Sequence, residues 1–269
     1  MRFDVISMLP QWMATAARCG VLDRAFASGL LELVTWNPCD FDTTGRPFCD
    51  DRPFGGGAGM VMRAPPLLET IAAARKAGPA APVICLTPQG EPLSATWVLE
   101  LARLPRLILV AGRYEGIDER VMQAVDVELS VGDVVLSGGE IPALLLMDAI
   151  SRQVPGVLGG QETLREESFG DGLLEYPQYT RPATLPQGEV PGILRSGNHD
   201  AVHAWRHEQA LGRTWIRRPD LLAGRLLSAQ ERSRLAAFVA DFLERRHRAC
   251  GIPGLLASGP MVDHNGGRQ

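Results

Sequence analysis

Arg106-Leu107-Ile108-Leu109-Val110-Ala111-Gly112-Arg113-Tyr114-Glu115-Gly116 is the stretch that decides the fold. An unbroken apolar run ends at a turn bounded by two glycines. Such a run suits a strand covered on both faces, as in a parallel sheet flanked by helices. Two further runs have the same form. Val83-Ile84-Cys85 leads into Leu86-Thr87-Pro88-Gln89-Gly90, and the run ending at Ser130 leads into Val131-Gly132-Asp133-Val134-Val135-Leu136-Ser137-Gly138-Gly139-Glu140. Ligands of parallel α/β sheets sit beyond the carboxyl ends of the strands. Glycines there let backbone approach a flat ligand. Taken singly, each loop reads better as an ordinary turn.

Outward from that core, strands are expected at Phe3–Ser7, Leu31–Trp36, Val83–Thr87, Arg106–Ala111 and Val127–Ser130. Helical spacing predicts helices over Gln11–Arg18, Leu22–Ser28, Pro65–Lys76, Ala95–Leu101, Glu119–Ala124 and Ile141–Arg152. Strand alternating with helix implies an α/β class with a mostly parallel sheet. Gly159–Pro191 lacks periodicity and reads as a linker, and a linker of that length is often functional. Helices return at His199–Leu211 and Ser228–Arg246, the latter opened by a capping box of Ser228 and Glu231. The tail, Cys250–Gln269, is Gly-rich and expected to be disordered.

Composition narrows the class. The 269 residues are 45% hydrophobic, enough for one large domain or two smaller ones. No apolar run reaches the roughly 18 residues of a membrane span. The N-terminus reads as a strand carrying Asp4, not as a secretion signal. Cys19, Cys39, Cys49, Cys85 and Cys250 are scattered and contain no C-x-x-C, which argues against a disulfide framework or zinc cluster and for a reducing cytoplasm. Net charge is −4, yet Arg195–Arg248 holds eleven arginines against six acids. A basic C-terminal region on an acidic body can serve as a footprint for phosphates, or simply as a helical surface in a chain with one lysine.

Several activities are excluded or weakened. Lys76 follows Arg75, so no nucleotide-triphosphate P-loop exists. Gly55-Gly56-Gly57-Ala58-Gly59 follows Asp50-Asp51-Arg52-Pro53-Phe54 and no convincing strand, which disfavours a dinucleotide fingerprint. No G-x-S-x-G nucleophile elbow is present. His199, His203 and His207 share a helical face, but without the H-E-x-x-H carboxylate or a cysteine partner they read as surface or RNA-facing residues ahead of zinc ligands.

The motifs together resemble the bacterial-type tRNA (guanine-N1)-methyltransferase family. They are Asp50–Gly57, Gly112–Arg120, Asp133–Glu140, Pro155–Gly159, Tyr176–Pro182, Ser196–His199 and Gly212–Pro219, in order over residues 1 to about 246. The resemblance implies a SPOUT-type parallel α/β sheet with a deep trefoil knot, followed by a smaller C-terminal helical domain. It implies an S-adenosylmethionine-binding domain over residues 1–158, a flexible catalytic linker over 159–175, a helical tRNA-binding domain over 176–248 and a disordered tail over 249–269. It further implies a homodimer with composite active sites, the anticodon arm of tRNA as partner, and magnesium. The base modified would be the guanine immediately 3′ of the anticodon, at N1. The cofactor site would comprise Leu86, Thr87, Pro88, Gly90, Gly112, Tyr114, Glu115, Val131, Gly132, Asp133, Val134, Val135, Leu136, Gly138 and Gly139.

The chemistry sets its own demands. Guanine N1 carries a proton that a general base must take. Charge then builds on O6, where a cation stabilises it. By resemblance the cation is Arg152, a residue that at a helix end also complements the macrodipole. The family's aspartate before Ser-Phe is replaced here by Glu167, whose carboxylate reaches farther by one carbon–carbon bond; Asp171 is the alternative base. Arg213, Arg217, Arg218 and His199 are the expected RNA contacts, since arginines grip phosphates. Trp215 among them reads as core. Glu115 and Asp50-Asp51 are candidates for organising magnesium or the methionine moiety, and Asp50-Asp51 reads equally as a turn.

Overall fold

The computed structural model describes residues 1–43, 45 and 48–250, with only the backbone described for 161–163 and 246–250. The chain forms two units, Met1–Leu164 and Arg165–Gln269.

The first unit is built on five parallel strands in the order β2-β1-β6-β5-β7. They are β1 (Arg2–Ile6), β2 (Glu32–Trp36), β5 (Val83–Pro92), β6 (Arg106–Ala111) and β7 (Val127–Ser130). A two-residue ladder, β3 (Asp50–Asp51) with β4 (Val61–Met62), lies outside that sheet. All six residues of β6, the central strand, are buried, which is why its sequence shows no polar alternation. Helices cover both faces. Phe3, Val5, Leu107 and Leu109 pack with residues of α1 (Pro10–Ala16), α2 (Gly20–Ala27), α4 (Ala95–Leu101) and α5 (Glu140–Ser151). Ile6, Ile108 and Val110 pack with α3 (Ala64–Lys76). The stripe Leu67, Thr70, Ile71 and Ala74 gives α3 its buried face, and prolines in its first turn suit a position where the N–H has no partner. Among the described residues no helix is long and apolar enough to cross a membrane.

The expected Glu119–Ala124 helix is a 3-10 turn, with Asp118 accepting from the Arg120 N–H at its start. Cys39 and Cys49 are paired as a disulfide, against the expectation of unpaired thiols; the bridge ties one local loop, with Cα atoms 5.4 Å apart.

In the second unit the stretch expected as an unpatterned linker holds local structure. It includes α6 (Gln161–Glu166), which begins in the first unit and runs across the boundary, and a tiny hairpin of β8 (Thr184–Leu185) and β9 (Gly188–Glu189); a turn at Gly192–Arg195 follows the stretch. These pieces are too short for periodicity to reveal. Beyond them come α7 (His199–Arg217), α8 (Pro219–Ala223) and α9 (Ala229–Cys250). Asn198 caps α7, accepting from the Ala201 N–H at 3.1 Å. The capping box of α9 is complete: Ser228 Oγ accepts from the Glu231 N–H, and Glu231 accepts from the Ser228 N–H. The expected tail lies outside the described residues from 251 onward.

Candidate active site

A cleft of about 290 Å³ opens at the carboxyl ends of β6 and β7 and at the bulge of β5, where its pairing with β7 breaks between Leu86 and Glu91. Leu86, Thr87 and Pro88 line it from the first loop. Gly112, Tyr114 and Glu115 line it from the second. Val131, Gly132, Val134, Val135, Leu136, Gly138 and Gly139 line it from the third. The three turns, far apart in sequence, therefore share one space. Two expected residues do not line it. Gly90 lies where a Cβ would press into the backbone of Glu128 and Leu129, so it serves close strand packing. Asp133 is exposed.

The cleft has contributors that pattern reading missed. Arg113, Glu119 and Glu128 bring charge to its lining, and Cys85, Ile117 and Met122 bring apolar surface. Glu119 and Met122 come from the 3-10 turn, whose direction no periodicity encodes. Burial, then the nearby Glu128 carboxylate, push the Cys85 thiol up to about 12, so it is no nucleophile at neutral pH.

The walls are tied to one another. The Gly139 N–H donates to Gly112 O at 2.7 Å, and Arg113 forms an antiparallel bridge with Gly138. Arg113 Nε donates to Glu140 Oε1 at 2.9 Å. From the outer side, the Glu115 N–H donates to Met60 O and the Met62 N–H to Gly116 O, each at 2.9 Å. The short β4 segment and the glycine-rich stretch before it are thus joined to the second loop. Tyr114 sits at φ 61°, a conformation a non-glycine residue adopts at a cost, and it is held there in the cleft's lining.

The remaining candidates are not among the residues that line this cleft. Arg152 is the C-terminal cap residue of α5, half-buried, its N–H donating to Asp148 O. In the second unit, half-buried Glu167 opens a tight loop in which the Gly170 N–H donates to Glu167 O and the Phe169 N–H to Leu173 O. Asp171 is engaged by Arg225 at 3.4 Å. Arg217 is exposed and Arg213 half-buried. Arg218 pairs with Asp220 at 2.7 Å and covers the Phe169 ring at 5.9 Å. His199 is exposed in the first turn of α7. Trp215, expected in the core, is half-buried and packs edge-on against the half-buried Phe242. Among the described residues no three His, Cys, Asp or Glu side chains converge on a metal site.

A parallel α/β sheet with a ligand-sized cleft across three loops defines a ligand-binding protein of the α/β class. Comparison makes the class particular. The family model described as tRNA (Guanine-1)-methyltransferase TrmD matches residues 1–224. The chain is similar to the tRNA (guanine-N(1)-)-methyltransferase of Methylococcus capsulatus, 48% identical over 250 residues covering 92% of this chain and 100% of the relative. The corresponding proteins of Halorhodospira halophila and Shewanella oneidensis are each 52% identical, covering 92% and 89% of this chain and 93% and 97% of theirs. The chain belongs to the TrmD family of S-adenosylmethionine-dependent tRNA (guanine-N1)-methyltransferases.

Proposed function

We propose that this chain methylates N1 of the guanine immediately 3′ of the anticodon, with S-adenosylmethionine bound in the cleft of the first unit. The observation that carries the reading is the convergence of the three strand-end loops on that cleft. The lining fits the cofactor's chemistry. Leu86, Val131 and Leu136 offer apolar faces to an adenine ring, and the glycines offer backbone edges. Glu115, Glu119 and Glu128 offer negative charge to a molecule that is cationic at sulfur and at its amino group. Bound there, S-adenosylmethionine supplies a methyl on a positively charged sulfur.

The remaining tasks belong to side chains. The Glu167 carboxylate takes the N1 proton, so that the N1 lone pair forms the new carbon bond while the sulfur keeps the electrons of the old one. The Arg152 guanidinium stabilises the charge delocalised onto O6. Asp171, which Arg225 engages at 3.4 Å, is the alternative base. Arg213, Arg217, Arg218 and His199 contact the anticodon arm, Arg217 foremost because it is exposed, and Arg218 the more restrained through Asp220. The described carboxylates form no cage for magnesium, and no step above depends on it.

The reading includes a homodimer with composite sites, working in the cytoplasm, and a trefoil knot through the three loops. Exposed Leu9, Trp12, Ile141 and Leu145, near the adjoining α1 and α5, supply apolar surface for a second copy. The bonds between the second and third loops suit a knotted arrangement. Functionally the chain divides into a cofactor domain over 1–158, a catalytic segment over 159–175 and an RNA-binding domain over 176–248.

Radiolabelled methyl transfer to tRNA transcripts tests this. Label is expected on transcripts with the target guanine and none on transcripts with adenine there. Glu167→Gln should lose transfer while holding cofactor affinity. Label on the guanine-free transcript, or full turnover by the variant, would overturn the reading.

A further inference from the structure

We infer that Glu140 is a positioning residue for cofactor binding, acting through Arg113 and Ser7; this rests on the cleft being the S-adenosylmethionine site. Glu140 is 2% exposed and does not line the cleft. A single carboxylate oxygen, Oε1, accepts from Arg113 Nε at 2.9 Å and from the Ser7 hydroxyl at 2.8 Å. Three chain segments therefore meet at one buried charge: the end of β1, the loop after β6 and the loop after β7. Ser7 Oγ also accepts from the Leu9 N–H at 2.9 Å, which fixes the turn into α1. A Cβ on Gly138 would collide with Glu140 Oε2 and meet Arg113 Cγ at 3.1 Å, so the ion pair packs directly beneath the third loop.

The consequence is mechanical and electrostatic at once. Arg113 lines the cleft, and its side chain is 28% exposed. Held by Glu140, it lies back against Gly138 with its charge met by a carboxylate. Released, it would carry an unmatched positive charge beside a site built for a cationic ligand, and the bridge between Arg113 and Gly138 would lose its support. Breaking a buried pair by removing one partner is costly because the other charge is left without compensation. Glu140 is buried and does not line the cleft, so its removal should act on cofactor affinity ahead of the chemical step.

The test uses the full chain, with S-adenosylmethionine binding measured by calorimetry without tRNA and kinetics measured with it. Glu140→Gln is expected to weaken binding about tenfold or more, as misplacement of a pocket wall does, and to raise KM for the cofactor with kcat at saturation held within about threefold. Arg113→Gln should weaken binding too, and the double variant should lose less than the two losses combined, because both report one shared interaction. Parent-like affinity in folded Glu140→Gln, a fall in kcat at unchanged KM, or full additivity overturns the inference. Should Glu140→Gln fail to fold, Ser7→Ala decides: binding about threefold weaker supports the role, since a single hydrogen bond is lost, and parent-like binding rejects it. A parent that binds no S-adenosylmethionine refutes the proposed function instead.

Discussion

At the scale of single residues, close approach matters more than composition. Gly90 belongs to a motif read as cofactor-binding, but its missing side chain serves strand packing. A Cβ there would stand 2.5 Å from the Glu128 carbonyl carbon. Backbone cannot yield as a side-chain tip can, so Gly90→Ala is expected to cost about 1–3 kcal/mol by overpacking. Urea unfolding should show a lower midpoint, and an unchanged midpoint would mean that β5 and β7 can part without penalty. Residue-scale legibility was uneven for the same reason. The apolar and glycine positions of the three loops were readable because turns demand them. Arg113 and Glu140 were not readable as a pair, nor was Ser7, 133 positions away from Glu140, since their meeting is tertiary.

At the scale of elements, the five main strands and most helices were legible because burial on one or both faces leaves a period. The β6 run and the α3 stripe are the plainest cases. The two-residue ladders and α6 are below the length at which a period exists. Caps were legible too, and one carries a pH prediction. The Arg225 guanidinium, then the Ser228 N–H, hold the Glu231 carboxyl down to about 2 from its ordinary 4.5, against the opposing effect of burial. A carboxyl lowered in the folded state stabilises fully above its unfolded value and loses that contribution as protons bind. The start of α9 should therefore lose stability as pH falls from about 4.5 towards 2. Denaturation followed by circular dichroism should show a shallower fall over that window for Glu231→Gln than for the parent; identical curves would remove the capping box from the account.

At the scale of the whole molecule, the α/β architecture followed from strands alternating with helices and the family from motif order, whereas the proposed site's second half depends on what a sequence does not display. Arg152 and Glu167 belong to separate units, and the proposed composite site would need a second copy to complete it. Leu145→Asp, on the exposed side of α5, places a charge on the apolar surface proposed for that copy. Sedimentation should shift towards monomer and methyl transfer should fall at least tenfold in step, as expected when a charge must be desolvated at an interface. A fully active monomer would confine catalysis to one chain. One earlier feature bears on turnover. β5 pairs with β7 before its bulge, through Leu86, and again after it, at Glu91 and Pro92. The stretch between is stitched down at both ends and is a poor door. With the cofactor bound as proposed, release of the spent nucleoside would then run past Val134 to Leu136, whose greasy side chains already look into water.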